Sequence, residues 1–385
     1  MKNFIFWALT SHGPGISGGD RIYIEFARRW SKKYPLEIVT WKEGIDMMQR
    51  NGLSASQKIT ISRLSVPNLG FLTTYLMRIA IGLLKSLALT LEHPKSTYLY
   101  SASEFWMDSI PCFVLKLRYP KLHWVASWYQ TAPSPISGFG LGRHRASALL
   151  LWLSQLPIRP LIQHFADYVL VNNDEEKKIF PGKKVVVVLG AVDIQKLNIK
   201  LYPLSTKKYA AVFQGRFHPQ KGVVELVEIW RNVVNQLPSA KLAMIGDGPL
   251  MSKVREKIKL LDLEKNIELF GFVFDGSQKY RIFSQSKLVV HPAFFDSGGM
   301  ATAEAMAFGL PAIGFDLPAF TSYYPVGMVK IPTGELDTFA NSIVSLLSDP
   351  KKIISLGQKA KRFIFSHYSW DRRADQVLNS LTANI

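Results

Sequence analysis

Short apolar runs alternate along this chain with stretches of helical period, and the rhythm runs through the sequence twice. In the first half, 3–9, 36–40, 97–101, 122–127, 168–171 and 184–189 read as buried strands, with a helix from about 20 to 33 after the first. Strands apolar on both faces belong to a parallel sheet covered by helices on each side. Residues 190–208 lose periodicity and carry Lys196, Lys200, Pro203, Lys207 and Lys208, the composition of a linker. The rhythm then resumes. Strands at 209–214, 240–245, 267–270, 287–291 and 311–315 alternate with helices at 222–236, 249–261, 277–285 and 299–308, and Pro238 and Gly246-Asp247-Gly248-Pro249 punctuate them. Helices near 335–348 and 350–366 follow, then His367-Tyr368-Ser369-Trp370 and a last helix. The 385 residues are too many for one ordinary core. The pattern predicts two doubly wound α/β domains, 1–195 and 196–365, with 366–385 as a C-terminal helix packing back on the first.

Two stretches depart from simple core patterning. Residues 70–91 carry only Arg78 and Lys85 as charges and have the length of a membrane span. Each mid-span charge costs roughly 2.5–3.5 kcal/mol on insertion scales. Seven residues apart, the two share one helical face, which favours an amphipathic helix on the sheet or in a membrane interface. The second stretch sets Arg143-His144-Arg145 before Ala148-Leu149-Leu150-Leu151-Trp152-Leu153, and Pro157 and Pro160 end it. Core packing and interfacial docking both fit it. Met1 to Leu9 has too short an apolar core for a leader and reads as a first strand.

Charge changes the picture. The formal net charge is +18, with 25 Lys and Arg against 13 Asp and Glu in residues 1–200 and 22 against 16 in 201–385. A basic N-terminal half calls for anionic company. The scattered cations and the absence of nucleic-acid-binding motifs disfavour nucleic acid and leave an anionic membrane surface. The single cysteine, Cys112, cannot form an internal disulfide, which fits a reducing compartment.

The chemistry concentrates in three segments. Asp296-Ser297-Gly298-Gly299-Met300-Ala301-Thr302-Ala303-Glu304 joins a strand to a helix inside a βαβ unit. Its glycine turn presents backbone N–H groups at a helix N-terminus, where an anion is favoured, with a carboxylate on each side. That layout suits a ligand that is part phosphate and part polyol, such as a nucleotide-sugar. Gln214-Gly215-Arg216-Phe217-His218-Pro219-Gln220-Lys221-Gly222 puts a guanidinium and an ammonium on the same sheet edge. Gly18-Gly19 lie where the first loop meets a helix, as a phosphate cradle or a tight turn. No His, Cys or Asp cluster has metal-ligand spacing.

Gly215-Arg216-x4-Lys221-Gly222, Ile245-Gly246-Asp247-Gly248-Pro249, Leu269-Phe270-Gly271-Phe272-Val273 and Asp296-x7-Glu304-Ala305-Met306-Ala307-x-Gly309-x-Pro311 occur in that order. Together they resemble the family 4 retaining glycosyltransferases, also called group 1, across roughly 209–316. The resemblance implies the GT-B fold, in which two Rossmann-like domains face a cleft. The first domain would be the acceptor side and the second the donor side. It implies that Arg216, Lys221, Asp296 and Glu304 are catalytic. Arg216 and Lys221 would bind the donor diphosphate, Glu304 the ribose, and Asp296 the transferred sugar. Gly18, Gly19, Gly215, Val273, Gly298, Gly299, Met300 and Ala301 would line the donor site. No metal and no cofactor are implied. Two departures stand out: Asp296 replaces the family's usual Glu, and Trp128 stands where many relatives place a histidine near the sugar. His123 lies earlier in that strand, while His12 and Trp128 are candidates for the sugar or acceptor pocket.

These observations predict a metal-independent hexosyltransferase that moves a sugar with retention from a UDP- or GDP-sugar to a lipid-linked or cell-envelope glycan. It would act at the cytoplasmic membrane face as a peripheral protein in polysaccharide or glycolipid synthesis. A nucleotide-sugar epimerase or hydrolase of the same fold, and a non-catalytic nucleotide- or lipid-binding scaffold, are the alternatives.

Overall fold

A computed structural model describes residues 2–11, 15–65, 70–140, 144–197 and 207–383 of the chain. Two compact units emerge. Met1–Ala132, Leu149–Gly190 and Asp371–Ile385 form the first, and Pro133–Ala148 with Ala191–Trp370 the second.

The first unit is built on β1 (Asn3–Trp7), β2 (Leu36–Trp41), β3 (Ile59–Leu64), β4 (Thr97–Ser101), β5 (His123–Trp128), β6 (Tyr168–Val171) and β7 (Lys184–Val187). They pair in parallel in the order β3-β2-β1-β4-β5-β6-β7. The opening apolar run is thus a central strand, hydrogen-bonded on both sides. Trp7, Trp124, Trp128 and Leu99 lie in one buried cluster. A fully buried leucine such as Leu99 contributes roughly 1.5–3 kcal/mol by leaving water. The closing helix is part of this unit, because the Trp30 indole donates to the Ala374 carbonyl at 2.9 Å and Tyr98 Oη to Leu381 at 3.3 Å.

The second unit carries β8 (Tyr209–Gln214), β9 (Leu242–Ile245), β10 (Ile267–Gly271), β11 (Ser286–His291), β12 (Ala312–Phe315) and β13 (Met328–Ile331). Their order is β10-β9-β8-β11-β12-β13, again parallel. Strand order reverses between β1 and β4 in the first sheet and between β8 and β11 in the second. Loops leaving the carboxyl ends of such a pair diverge to opposite faces and open a crevice, where this class of sheet binds ligands.

The sequence pattern did not mark β3, β13 or the helix Lys42–Arg50. Both strands are sheet edges and largely half-exposed, so their polar positions break the apolar run that marks a buried strand.

Residues 71–88 are one helix, Phe71–Ala88. The shared face expected for its two charges takes an unexpected direction, since Arg78 is buried. Its guanidinium lies 4.8 Å over the Trp41 ring and donates to Glu43 Oε1 at 3.2 Å. The outward stripe is Leu72, Leu76, Ala80, Leu84 and Leu87, all exposed. Its polarity is inverted relative to an ordinary surface helix. Among the described residues no helix is long and apolar enough to cross a membrane.

Candidate functional site

The site forms where β8 and β11 part company. After β8 the chain makes a short 3-10 turn, Pro219–Lys221, and leaves it through Gly222 at φ 63°. A Cβ at Gly222 would stand 2.0 Å from the Pro292 carbonyl oxygen, so this turn requires glycine. The Gln220 carbonyl accepts from Phe294 N at 2.9 Å and ties the β8 loop to the β11 loop. Lys221 is thereby delivered to Asp296, with Nζ 2.5 Å from Oδ2. Arg216, two residues past β8, is exposed and has no salt bridge among the described residues.

Asp296 is the best-connected group here. His291 Nε2, at the end of β11, approaches the same Oδ2 at 2.9 Å. Gly298 N and Gly299 N donate to Oδ1 at 3.2 and 3.3 Å. Burial works to raise the Asp296 pKa. The Lys221 charge and the His291 contact overcome it and hold the carboxyl well below the usual carboxylate range. Gly299 then turns the chain at φ 64° into the helix Met300–Ala307, and its carbonyl accepts from Tyr324 Oη at 2.6 Å. At that helix start the N–H groups of Met300 and Ala301 precede any intrahelical acceptor.

One turn further on, Glu304 Oε2 lies 2.5 Å from Lys279 Nζ, which also meets Asp275 Oδ1 at 2.5 Å. Burial would depress Lys279, but Glu304 and Asp275 raise its pKa and keep it cationic. Glu304 retains partial exposure. Val273 follows β10 between Phe272 and Phe274, whose exposed rings meet edge-on at 4.8 Å. His218 is pushed down to about 4, first by burial and then by Arg216, His144 and Lys221. Phe139, from the segment Pro133–Ala148, meets its ring edge-on at 5.9 Å.

Arg216, Lys221, Asp296, Glu304, Gly215, Gly298, Gly299, Met300, Ala301 and Val273 therefore share the carboxyl edge of the second sheet. Gly18 and Gly19 belong to the first unit, as the opening residues of the helix Gly18–Trp30, where Ser17 and Asp20 form a reciprocal capping box. Trp128 is 1% exposed, donates from Nε1 to Thr131 Oγ1 at 2.8 Å and meets Phe180 edge-on. The pocket role considered for it gives way to a core role, since its ring is enclosed. His12 lies outside the described residues. His123 stacks on Tyr98 at 4.9 Å and its Nε2 lies 3.1 Å from the Lys95 carbonyl.

Compared with solved structures, the whole chain matches HepE of Anabaena, determined with UDP and glucose, at a TM-score of 0.72 and 14% identity, with both chains covered completely. The fold is GT-B. Within this GT-B chain, residues 194–363 match the family model described as glycosyl transferases group 1. Over 167 residues it is 29% identical to an uncharacterized glycosyltransferase of Methanocaldococcus jannaschii, covering 40% of each chain. Over 154 residues it is 25% identical to the poly(glycerol-phosphate) alpha-glucosyltransferase of Bacillus subtilis, covering 40% of this chain and 21% of the relative. The match thus spans less than half the length of these curated relatives.

Sequence reasoning missed Lys279, His291 and Tyr324. Lys279 lies inside the helix predicted over 277–285, where nothing in the local spacing sets it apart. The usable signal was a histidine directly after the apolar run Leu288-Val289-Val290, five residues before Asp296.

Proposed function

We propose that this protein is a retaining glycosyltransferase using an NDP-sugar donor. The observation that carries the reading is the convergence of Arg216, Lys221 and the Met300–Ala307 helix start beside Glu304, at the strand-order reversal of the second sheet. Two cations and a helix N-terminus balance a diphosphate, while the Glu304 carboxylate, held by Lys279, accepts from ribose hydroxyls. As the bond from the anomeric carbon to the diphosphate oxygen lengthens, charge grows on that oxygen. Arg216 and Lys221 stabilise it. The acceptor oxygen bonds to the anomeric carbon on the face the diphosphate leaves, and its proton passes to the departing phosphate oxygen. No protein nucleophile takes part in this sequence, and the configuration is retained.

In this reading Val273 with its aromatic neighbours lies against the base. The donor is a UDP- or GDP-sugar. HepE was determined with UDP, which makes UDP the first probe.

The acceptor in our reading is a lipid-linked or cell-envelope glycan at the cytoplasmic membrane face, with the enzyme peripheral on anionic lipid. The support is the outward leucine stripe of Phe71–Ala88 and the exposed Leu150, Trp152 and Leu153 of the helix Arg145–Gln155. Both helices abut Trp106–Arg118, whose Trp106 Nε1 donates to Ser154 O at 2.6 Å. Exposed Arg118, whose guanidinium donates to the Ser86 carbonyl, borders this apolar area and suits anionic headgroups. A poly(glycerol-phosphate) glucosyltransferase among the relatives is in keeping with an envelope acceptor.

A thermal-shift screen against UDP, GDP, ADP and their sugars tests the donor site. Stabilisation by one nucleotide supports the reading, and no response to any of them removes it.

A further inference from the structure

We propose that His291 is a positioning residue that fixes Lys221 through Asp296, so that the ammonium, and not the Asp296 carboxylate, meets the donor. The inference rests on the nucleotide-sugar reading for the identity of the ligand, but the linkage itself is built into the chain.

Lys221 carries its charge on a flexible four-carbon stem, and such a group is placed only by what holds its end. Asp296 Oδ2 holds it, at 2.5 Å. The carboxylate needs an anchor of its own, because the terminal torsion of Asp is broad and roughly two-fold. His291 supplies that anchor. The ring closes a strand paired on both sides, is 2% exposed, and is gripped at its other nitrogen by Thr302 Oγ1, 3.0 Å from Nδ1. Donation to a carboxylate needs the proton on Nε2, and Nδ1 then accepts from the Thr302 hydroxyl. The chain Thr302–His291–Asp296–Lys221 thus transfers the rigidity of β11 and of the Met300–Ala307 helix to a mobile amine.

The second consequence concerns Asp296 itself. Two donors meet Oδ2 and two backbone amides meet Oδ1, so all four lone-pair directions of the carboxylate are engaged. A sugar hydroxyl could bind only by displacing one of them. The resemblance implies a sugar contact for this residue, whereas the geometry makes it the link between an imidazole and an ammonium. The loop amides it holds also fix the turn that aims the helix start at the phosphates.

The test compares His291→Phe, His291→Gln and His291→Asn in the full chain. Gln returns an amide donor at about the reach of Nε2, while Asn offers the same chemistry too short to arrive. Three readouts are taken: UDP affinity by calorimetry, the donor KM and kcat, and the rate at which Lys221 is modified by an amine-reactive reagent, read by peptide mass spectrometry. His291→Phe and His291→Asn are expected to weaken UDP binding about tenfold and to raise KM in step, as for loss of a hydrogen bond to a charged group. Lys221 should be modified faster in both, and His291→Gln should restore most of each value. If Gln and Asn behave alike, or if Lys221 reacts at the wild-type rate in every variant, the proposal is overturned. Should His291→Phe fail to fold, the Gln and Asn pair still decides. Absence of binding of UDP, GDP and ADP alike by the wild type would sink the donor reading, while the Lys221 reaction rates would continue to test the linkage.

Discussion

Lys279 Nζ bridges Glu304 Oε2 and Asp275 Oδ1, each at 2.5 Å, from a side chain with no solvent exposure. A buried cation is thus committed to the carboxylate that in our reading meets the ribose. Removing its charge leaves two carboxylates facing one another across an apolar gap lined by Tyr280 and Phe283. Lys279→Met is expected to cost about 3 kcal/mol, the lower end for breaking a buried pair, because both carboxylates keep some access to water. Chemical denaturation measures the loss. Restoring charge balance with Lys279→Met plus Glu304→Gln should recover part of the stability without recovering nucleotide binding.

Arg216 and Lys221 carry the same charge and should fail differently. Arg216 is exposed and has no salt bridge among the described residues, so Arg216→Ala should change stability by less than about 0.5 kcal/mol. It should still lower kcat by about a hundredfold or more, as loss of a transition-state charge contact does. Lys221→Ala strands Asp296, whose side chain is 9% exposed, and should lower both stability and rate. Paired melting curves and kinetics separate the two outcomes.

Glu104 offers a pH test in the first unit. Burial pushes its carboxyl up to about 7, from an ordinary value of 4.5. Between those values the folded state holds a proton that the unfolded state has released, so this group's contribution to stability falls as pH rises from about 4.5 to 7. Gln imitates the protonated acid at every pH. Glu104→Gln should therefore match wild type near pH 4 and exceed it by up to about 3 kcal/mol at pH 8. Equal stabilities across the range would show that the buried acid is not penalised. Asp296 works in the opposite direction. Its depressed pKa contributes stability that is fully present above the unfolded value of about 4 and is lost as pH falls below it.

The outward leucines make a separate prediction. Leu76→Glu with Leu84→Glu changes two exposed positions of Phe71–Ala88 and should leave the melting temperature within a degree or two. Sedimentation with anionic vesicles should drop severalfold, and wild type should be released by salt. Full retention by the variant would move the membrane contact elsewhere.

Much of this architecture could be read from the chain because buried parallel strands are continuous apolar runs. Leu288-Val289-Val290 and Tyr168-Val169-Leu170-Val171 announce themselves, whereas Ile59-Thr60-Ile61-Ser62-Arg63-Leu64 at a sheet edge does not. Site residues inside one loop, such as Asp296 through Ala301, were legible because their spacing is local. Lys279 was not, because its partner is 25 residues away across a strand and a turn. Trp128 shows the opposite failure. Position along β5 suggested a pocket, but pleating and the neighbouring Phe180 turned the ring into the core.

Four times the backbone passes from one unit to the other, at 132–133, 148–149, 190–191 and 370–371. Severing the gene near residue 190 would therefore not give two self-sufficient products. The leading fragment would lack the helix whose Ala374 carbonyl receives the Trp30 indole, and the trailing one would lack the loop whose Phe139 shields His218. Swapping halves between relatives calls for exchanging these interlaced pieces together, because the boundary on paper is not the boundary in space.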